Sequence, residues 1–280
     1  SQTYLGGAAA IANHLASFCK SVNFLTLAGK DKQILSFFKK LLRKNVNINI
    51  FNQINTQTII KKRYIDEVSK NKLMGVYSIS EEKIKKILKK KIINFIKKKT
   101  TSSDIILVSD YGHGFISKKS ANVINKSKTF FSLNAQINAS NRGFHSLRKY
   151  QNIDSLIINE NELRHEMRDK IGNLEKMGFQ LIKKLKIKKI IITRGGKGAI
   201  LLEAKNKAIY APAFANKVVD KVGAGDTMLA VISLCLKIKM PEDLALFLGS
   251  LAGASAVENI GNSRFVNKDE LIRKIQFSIK

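Results

Sequence analysis

Val218-Val219-Asp220-Lys221-Val222-Gly223-Ala224-Gly225-Asp226-Thr227, followed by the apolar run MLAVISLCL to Leu236, reads as a strand end, a glycine turn and a long buried helix. Two glycines let the backbone turn sharply and come close to a ligand. The first N–H groups of the helix that opens there have no carbonyl to pair with, and such a terminus attracts phosphate oxygens. Asp226 sits at its mouth. A carboxylate there is poorly placed to bind an anion, but well placed to take a proton from a hydroxyl attacking a phosphate. The same Asp could be a simple helix N-cap, and this stretch alone leaves both readings open.

Outward from this helix, helical and strand patterns alternate. Short apolar runs such as Ile105-Ile106-Leu107-Val108 and Ile190-Ile191-Ile192 are bounded by turn residues. The pattern predicts an α/β fold: a mostly parallel sheet covered by helices on both faces, in three α/β/α layers. Residues 81–100 predict one solvated helix, with Ile84, Ile87, Leu88, Ile92, Phe95 and Ile96 on one stripe and lysines elsewhere. Between Asn47 and Ile79 the pattern changes to short β-prone pieces at 58–65 and 74–77, which predict a small β lid or side sheet. No internal repeat and no proline-marked boundary divides the chain.

With 280 residues, 44% of them hydrophobic, residues 1–280 are long enough for one large domain with a small appendage. No run approaches the roughly 18 uninterrupted apolar residues that span a bilayer, so a cytoplasmic protein without a membrane partner is the expectation. Cys19 and Cys235 offer neither a metal spacing nor a disulfide framework, and His145 and His165 have no ligand-like spacing either. The formal charge of +29 comes mostly from lysine spread along the whole chain. A nucleic-acid surface would gather arginines and aromatics into one patch, so no nucleic-acid partner is expected.

Three further stretches carry chemistry. Asn159-Glu160-Asn161-Glu162 follows the strand pattern Leu156-Ile157-Ile158 and, read locally, is a helix cap with acids in the first turn. Thr193-Arg194-Gly195-Gly196-Lys197-Gly198 gives T-x-G-x-x-G at a strand end, a pattern that hairpin turns share. Near the N-terminus, Gly6-Gly7-Ala8-Ala9 turns into a helical pattern.

In this order, and centred on D-x-x-G-A-G-D-T from Asp220 to Thr227, the motifs resemble those of the ribokinase-like sugar kinases, the PfkB family, from Gly6 to about Leu271. The resemblance implies a ribokinase-like sandwich with ATP as co-substrate. It makes Asp226 the general base and the backbone of Gly223, Ala224 and Gly225 an anion hole. It assigns Asn159 and Glu162 to Mg²⁺, Thr193, Gly195 and Gly198 to the nucleotide turn, and Ala254 and Asn259 to the border of the adenine. A monovalent cation such as K⁺ beside the anion-hole loop belongs to the same pattern, with Lys221 near enough to interfere. Gly6 and Gly7 match the sugar-side G-G-x-x-N, but Ala10 stands in place of the Asn, leaving Asn13 or His14 as substitutes. The family's early strand with its substrate-binding Asp is missing here, so the natural chain is expected to continue upstream of Ser1.

Within the family, Thr58-Ile59-Ile60-Lys61-Lys62-Arg63-Tyr64, Ser109-Asp110-Tyr111-Gly112-His113-Gly114 and Thr193-Arg194 are similar to heptose 7-phosphate kinases, including kinase domains fused to nucleotidyltransferases. His113 replaces the usual lysine. Lys61 and Arg63 project to one face of a strand and suit a substrate phosphate, or are two solvated basic side chains. Asp110, and Asn134 at the head of an amide-rich loop at 134–143, suit sugar hydroxyls; an ordinary Asn-rich turn is the competing account. The resemblance therefore predicts phosphorylation of a sugar or sugar-phosphate hydroxyl, with a heptose 7-phosphate-type substrate in activated-sugar synthesis for lipopolysaccharide or another surface glycan. A noncatalytic nucleotide- or sugar-binding relative and a kinase for another sugar or nucleoside are the alternatives. It also allows a homodimer through the lid and a fused or partner nucleotidyltransferase.

Overall fold

The computed structural model describes residues 2–53, 56–66, 72–80, 82–137, 141, 146–205 and 207–279. Helix α1 (Ala8–Ala16) leads into strand β1 (Val22–Ala28), helix α2 (Lys32–Leu41) and strand β2 (Val46–Asn52), which pairs in parallel with β1. Strands β3 (Ile60–Ile65) and β4 (Lys72–Ser78) form an antiparallel hairpin apart from the other sheets. Helix α3 (Lys86–Thr100), β5 (Ile105–Asp110), α4 (Lys118–Asn125), β6 (Phe130–Ala135), β7 (Ser155–Asn159), α5 (Glu160–Met167), α6 (Leu174–Leu185), β8 (Lys189–Thr193), β9 (Ala199–Glu203) and β10 (Ala208–Ala211) follow. The chain then runs through α7 (Ala224–Lys237), α8 (Glu242–Val257) and α9 (Lys268–Ile279).

The main sheet has the order β10-β9-β8-β7-β6-β5; β5 to β8 are parallel, and β9 and β10 are antiparallel additions. Alternation along the strands sends Ile157, Ile191 and Leu201 into a core with α1, α7 and α8. Leu156, Ile158, Ile190, Ile192, Ile200 and Leu202 point the other way, into a second core with α3 to α6. These are the three layers expected, each side chain so buried contributing roughly 1.5–3 kcal/mol. Among the described residues no helix is long and apolar enough to cross a membrane.

The β-prone pieces at 58–65 and 74–77 form the β3–β4 hairpin, while residues 46–52 pair with β1. Two local expectations are corrected. Helix α3 begins at Lys86, and Ile87 is 73% exposed while Ile84, Ile92 and Ile96 are buried. Without an acid or a side-chain cap in its first turn, the four residues before it have little to hold them helical. No strand precedes the glycine turn at Gly223; Val219 and Asp220 both donate their N–H groups to Val257 O.

Helix α7 is buried along most of its length, and the polar residue in its second half, Ser233, is matched by the sheet. Ser233 Oγ lies 2.5 Å from Ser132 Oγ, which lies 2.7 Å from Ser155 Oγ. This hydroxyl chain ties α7 to β6 and β7 and points its N-terminus toward the carboxyl ends of the parallel strands, where α/β sheets bind ligands.

Candidate active site

Gly223 is the residue before the first turn of α7, with φ of +92°, and a Cβ there would sit 2.4 Å from Asn262 Oδ1. Both facts require glycine. Asp220 shapes the approach: its Oδ1 accepts from Val222 N at 3.0 Å and its Oδ2 from Gly261 N at 2.9 Å. Asn262 in turn donates to Leu5 O at 2.9 Å. Gly223 has no side chain with which to cap, so the N–H groups of Ala224, Gly225 and Asp226 open the helix without intrahelical acceptors. A Cβ on Gly225 would meet nothing within 4 Å, which leaves space over this turn.

Asp226 stands in the third helical position, which removes the N-cap reading. It is 8% exposed, and Tyr111, in the turn after β5, donates its hydroxyl to Asp226 Oδ1 at 3.4 Å. Burial pushes the Asp226 carboxyl up to about 6, against the pull of Tyr111 and Lys61. The Tyr111 ring also packs on Gly7, where a Cβ would lie 2.9 Å from the phenol oxygen and φ is +54°. From the hairpin, Lys61 places its ammonium 5.3 Å from the centre of the Tyr111 ring. Arg63 follows on the same strand, exposed.

Asn159 and Glu162 form a full capping box at the start of α5. Asn159 Oδ1 accepts from Glu162 N at 2.9 Å, and Glu162 Oε2 accepts from Asn159 N at 2.8 Å. Glu162 Oε1 takes a third bond, from Ile137 N at 3.2 Å. Burial raises Glu162 to about 7; its backbone bonds lower it and the charge of Asp226 raises it further. Glu162 and Asp226 are thus two buried carboxyls that repel one another, an arrangement that a hard cation between them would relieve.

Thr193 lies beside Asn159 in the β7–β8 register. The turn that follows joins β8 to antiparallel β9, so the glycine pattern is indeed a hairpin connection. A Cβ on Gly198 would fall 2.0 Å from Ala211 O, whereas a Cβ on Gly195 or Gly196 would meet nothing within 4 Å. Ala254 is buried in α8, whose small residues serve close packing: Cβ atoms on Gly249 and Gly253 would strike Ile232 and Met228 of α7. Asn259 donates to Ser255 O at 2.9 Å and lines a cleft with His14, Thr227, Ser255 and Phe265.

Two candidates on the sugar side are consumed internally. Asn13 is fully buried, donating to Leu41 O at 2.8 Å and accepting from Arg43 N at 2.9 Å. Asp110 is 3% exposed; its Oδ2 accepts from Tyr150 OH and pairs with Lys149 Nζ, both at 2.6 Å, and its Oδ1 accepts from Gly112 N at 2.9 Å. Gly6 faces open space. Asn134 donates to Ile157 O at 2.8 Å, and its buried Oδ1 has no partner among the described residues. Most of the amide loop, 138–140 and 142–143, and His145 lie outside the described residues. Asp220 shapes the site as the first residue of the D-x-x-G-A-G-D-T motif, while Tyr111 and Asn262 join it without a role that the sequence assigns them. Tyr111 was legible as the aromatic between Asp110 and Gly112; Asn262 reaches Gly223 only through the fold.

The family model described as pfkB family carbohydrate kinase matches residues 1–269. The bifunctional protein HldE of Nitratiruptor sp. is 27% identical over 254 residues, covering 89% of this chain and 52% of that protein. HldE of Histophilus somni is 26% identical over 263 residues, covering 92% and 53%. The chain thus spans about half the length of the curated relatives it matches. Among solved structures, phosphofructokinase-2 from Escherichia coli in complex with potassium superposes with a TM-score of 0.77 at 16% identity, covering 98% of this chain and 87% of that one. Ribokinase of Arabidopsis thaliana complexed with ribose and ATP gives 0.76 at 18%, covering 99% and 89%. At such identities the likeness establishes the fold, which is ribokinase-like.

Proposed function

Since the chain belongs to the pfkB family of carbohydrate kinases, we propose that it transfers the γ-phosphoryl of ATP to a hydroxyl of a sugar phosphate of the heptose 7-phosphate type. The observation that carries the reading is the buried Asp226 carboxylate at the mouth of α7, with open space over Gly225. A hydroxyl entering that space gives its proton to Asp226 as its oxygen attacks phosphorus. The N–H groups at Gly223, Ala224 and Gly225 meet the charge on the transferring group, aided by the positive end of the helix. Tyr111 keeps one Asp226 oxygen in place, so the other meets the substrate.

Lys61 and Arg63 are assigned to the phosphate that the acceptor already carries. Heptose 7-phosphate follows from the resemblance of those strands and from the HldE relatives; a nucleotidyltransferase, fused or separate, would then activate the product. Mg²⁺ near Asn159 and Glu162 would neutralise phosphate charge and relieve the repulsion between Glu162 and Asp226. Gly195 and Gly198 form the turn for the nucleotide, with Thr193 beside it and Asn259 toward the adenine. The potassium in the phosphofructokinase-2 complex supports testing K⁺ beside the Gly223 loop.

The test is ATP consumption with heptose 7-phosphate, fructose 6-phosphate, ribose and adenosine, each with Mg²⁺ and with or without K⁺. Heptose 7-phosphate should give the highest kcat/KM. A preference for an unphosphorylated acceptor would refute the assignment of Lys61 and Arg63.

A further inference from the structure

We propose that His14 is a positioning residue for the base: a neutral imidazole protonated on Nε2, which holds Thr227 and so fixes the first turn of α7 behind Asp226. This rests on the reading of Asp226 as the base.

The tautomer follows from the partners. His14 is 1% exposed, and its Nδ1 lies 3.1 Å from Val266 N, a group that can only donate. Nδ1 therefore carries a lone pair, and the proton of the neutral ring is on Nε2. That nitrogen lies 3.2 Å from Thr227 Oγ1 and donates to it. Burial, reinforced by the charge of Arg43, holds the imidazole down to about 4, so the ring is neutral wherever Asp226 can act as a base.

The bond joins three parts of the site. Helix α1 opens after Gly7, which lies against Tyr111. Its His14 and Ser17 grip Val266 from both main-chain sides, Ser17 Oγ donating to Val266 O at 2.6 Å, while Phe265 packs edge-on against the imidazole with ring centres 5.5 Å apart. The same segment carries Asn262, whose Oδ1 lies against Gly223. Helix α7 is thus located at its entry by Asn262 and one turn later by His14, with Asp226 between. An apolar side chain of equal size would fill the space and leave the Val266 N–H and Thr227 hydroxyl buried without partners.

Asn and Gln each reproduce half of the imidazole. The Asn oxygen can replace Nδ1 toward Val266, and the Gln nitrogen can replace Nε2 toward Thr227. With ATP and heptose 7-phosphate as probes, His14→Asn is expected to lower kcat at least tenfold at unchanged KM for ATP, and His14→Gln to retain kcat within threefold while losing thermal stability. Thr227→Val cuts the same bond from the other side, and its effect on kcat should not add to that of His14→Asn. Equal losses in the Asn and Gln variants, or additive losses with Thr227→Val, would overturn the proposal.

A second readout needs no turnover: carboxyl NMR titration of ¹³C-labelled Asp, with Asp226→Asn to assign the resonance. His14→Asn should lower the Asp226 midpoint toward that of an ordinary carboxylate, as a loosened turn admits water, and His14→Gln should not; an unmoved midpoint in His14→Asn overturns the proposal. If no acceptor is phosphorylated, the function fails and this titration alone decides the positioning role. Should His14→Asn not fold, Thr227→Val is titrated in its place.

Discussion

Asp110 and Asp226 are both buried acids at the carboxyl edge of the sheet. Asp110 is surrounded by donors from Tyr150, Lys149 and Gly112, whereas among the described residues Asp226 has one long side-chain bond, from Tyr111, and open space over the neighbouring Gly225. The difference has a thermodynamic signature. Folding raises Asp226 from 3.8 to about 6, so the folded state holds this proton more tightly than the unfolded chain does. Stability is therefore lost as pH rises through that window, and the full cost is present above it. Asp226→Asn should thus stabilise the ligand-free protein at pH 8 by on the order of 1–3 kcal/mol, with the gain gone near pH 4, as urea unfolding at both pH values will read. In the same variant kcat should fall by about a hundredfold or more with ATP binding retained. Near-normal turnover would remove Asp226 from the base role.

At the scale of elements, the β3–β4 hairpin brings the charge nearest the base that comes from outside the sandwich. Lys61 opposes the upward shift of Asp226, and Asp226 in turn supports the charge of Lys61. Lys61→Met should accordingly move the acid limb of the kcat/KM profile to higher pH. Arg63→Met should raise KM for a phosphorylated acceptor by about tenfold without moving the limb. Identical pH profiles for wild type and Lys61→Met would separate the hairpin from the chemistry. Helices α7 and α8 pose a different constraint. The Gly249 Cα faces Ile232 so closely that an added methyl would lie 2.1 Å from its Cγ1. Gly249→Ala should destabilise by about 1–3 kcal/mol, measured as a fall in Tm; an unchanged Tm would mean that the two helices can part at no cost.

For the whole molecule, the hairpin stands apart from both other sheets and exposes Tyr64, Leu73, Met74 and Val76. A homodimer through the lid would cover these side chains, and sedimentation velocity should then show a dimer that Met74→Asp converts to monomer. A wild-type monomer at micromolar concentration would end that reading.

The sequence by itself determined the alternation of strands and helices, the two-sided sheet, the glycine-opened helix at Gly223 and the acid in its first turn. These depend on neighbours within a few residues, through periodicity and backbone freedom. Tertiary structure alone decided which polar groups remain for a ligand. Asn13 looked available until Leu41 and Arg43 arrived from 28 and 30 residues away, and Asp110 until Tyr150 arrived from 40. Tyr111 gained its place beside Asp226 across 115 residues, and His14 its hold on Thr227 across 213. A buried polar group must find a partner, and spacing along the chain says little about which partner the fold will deliver.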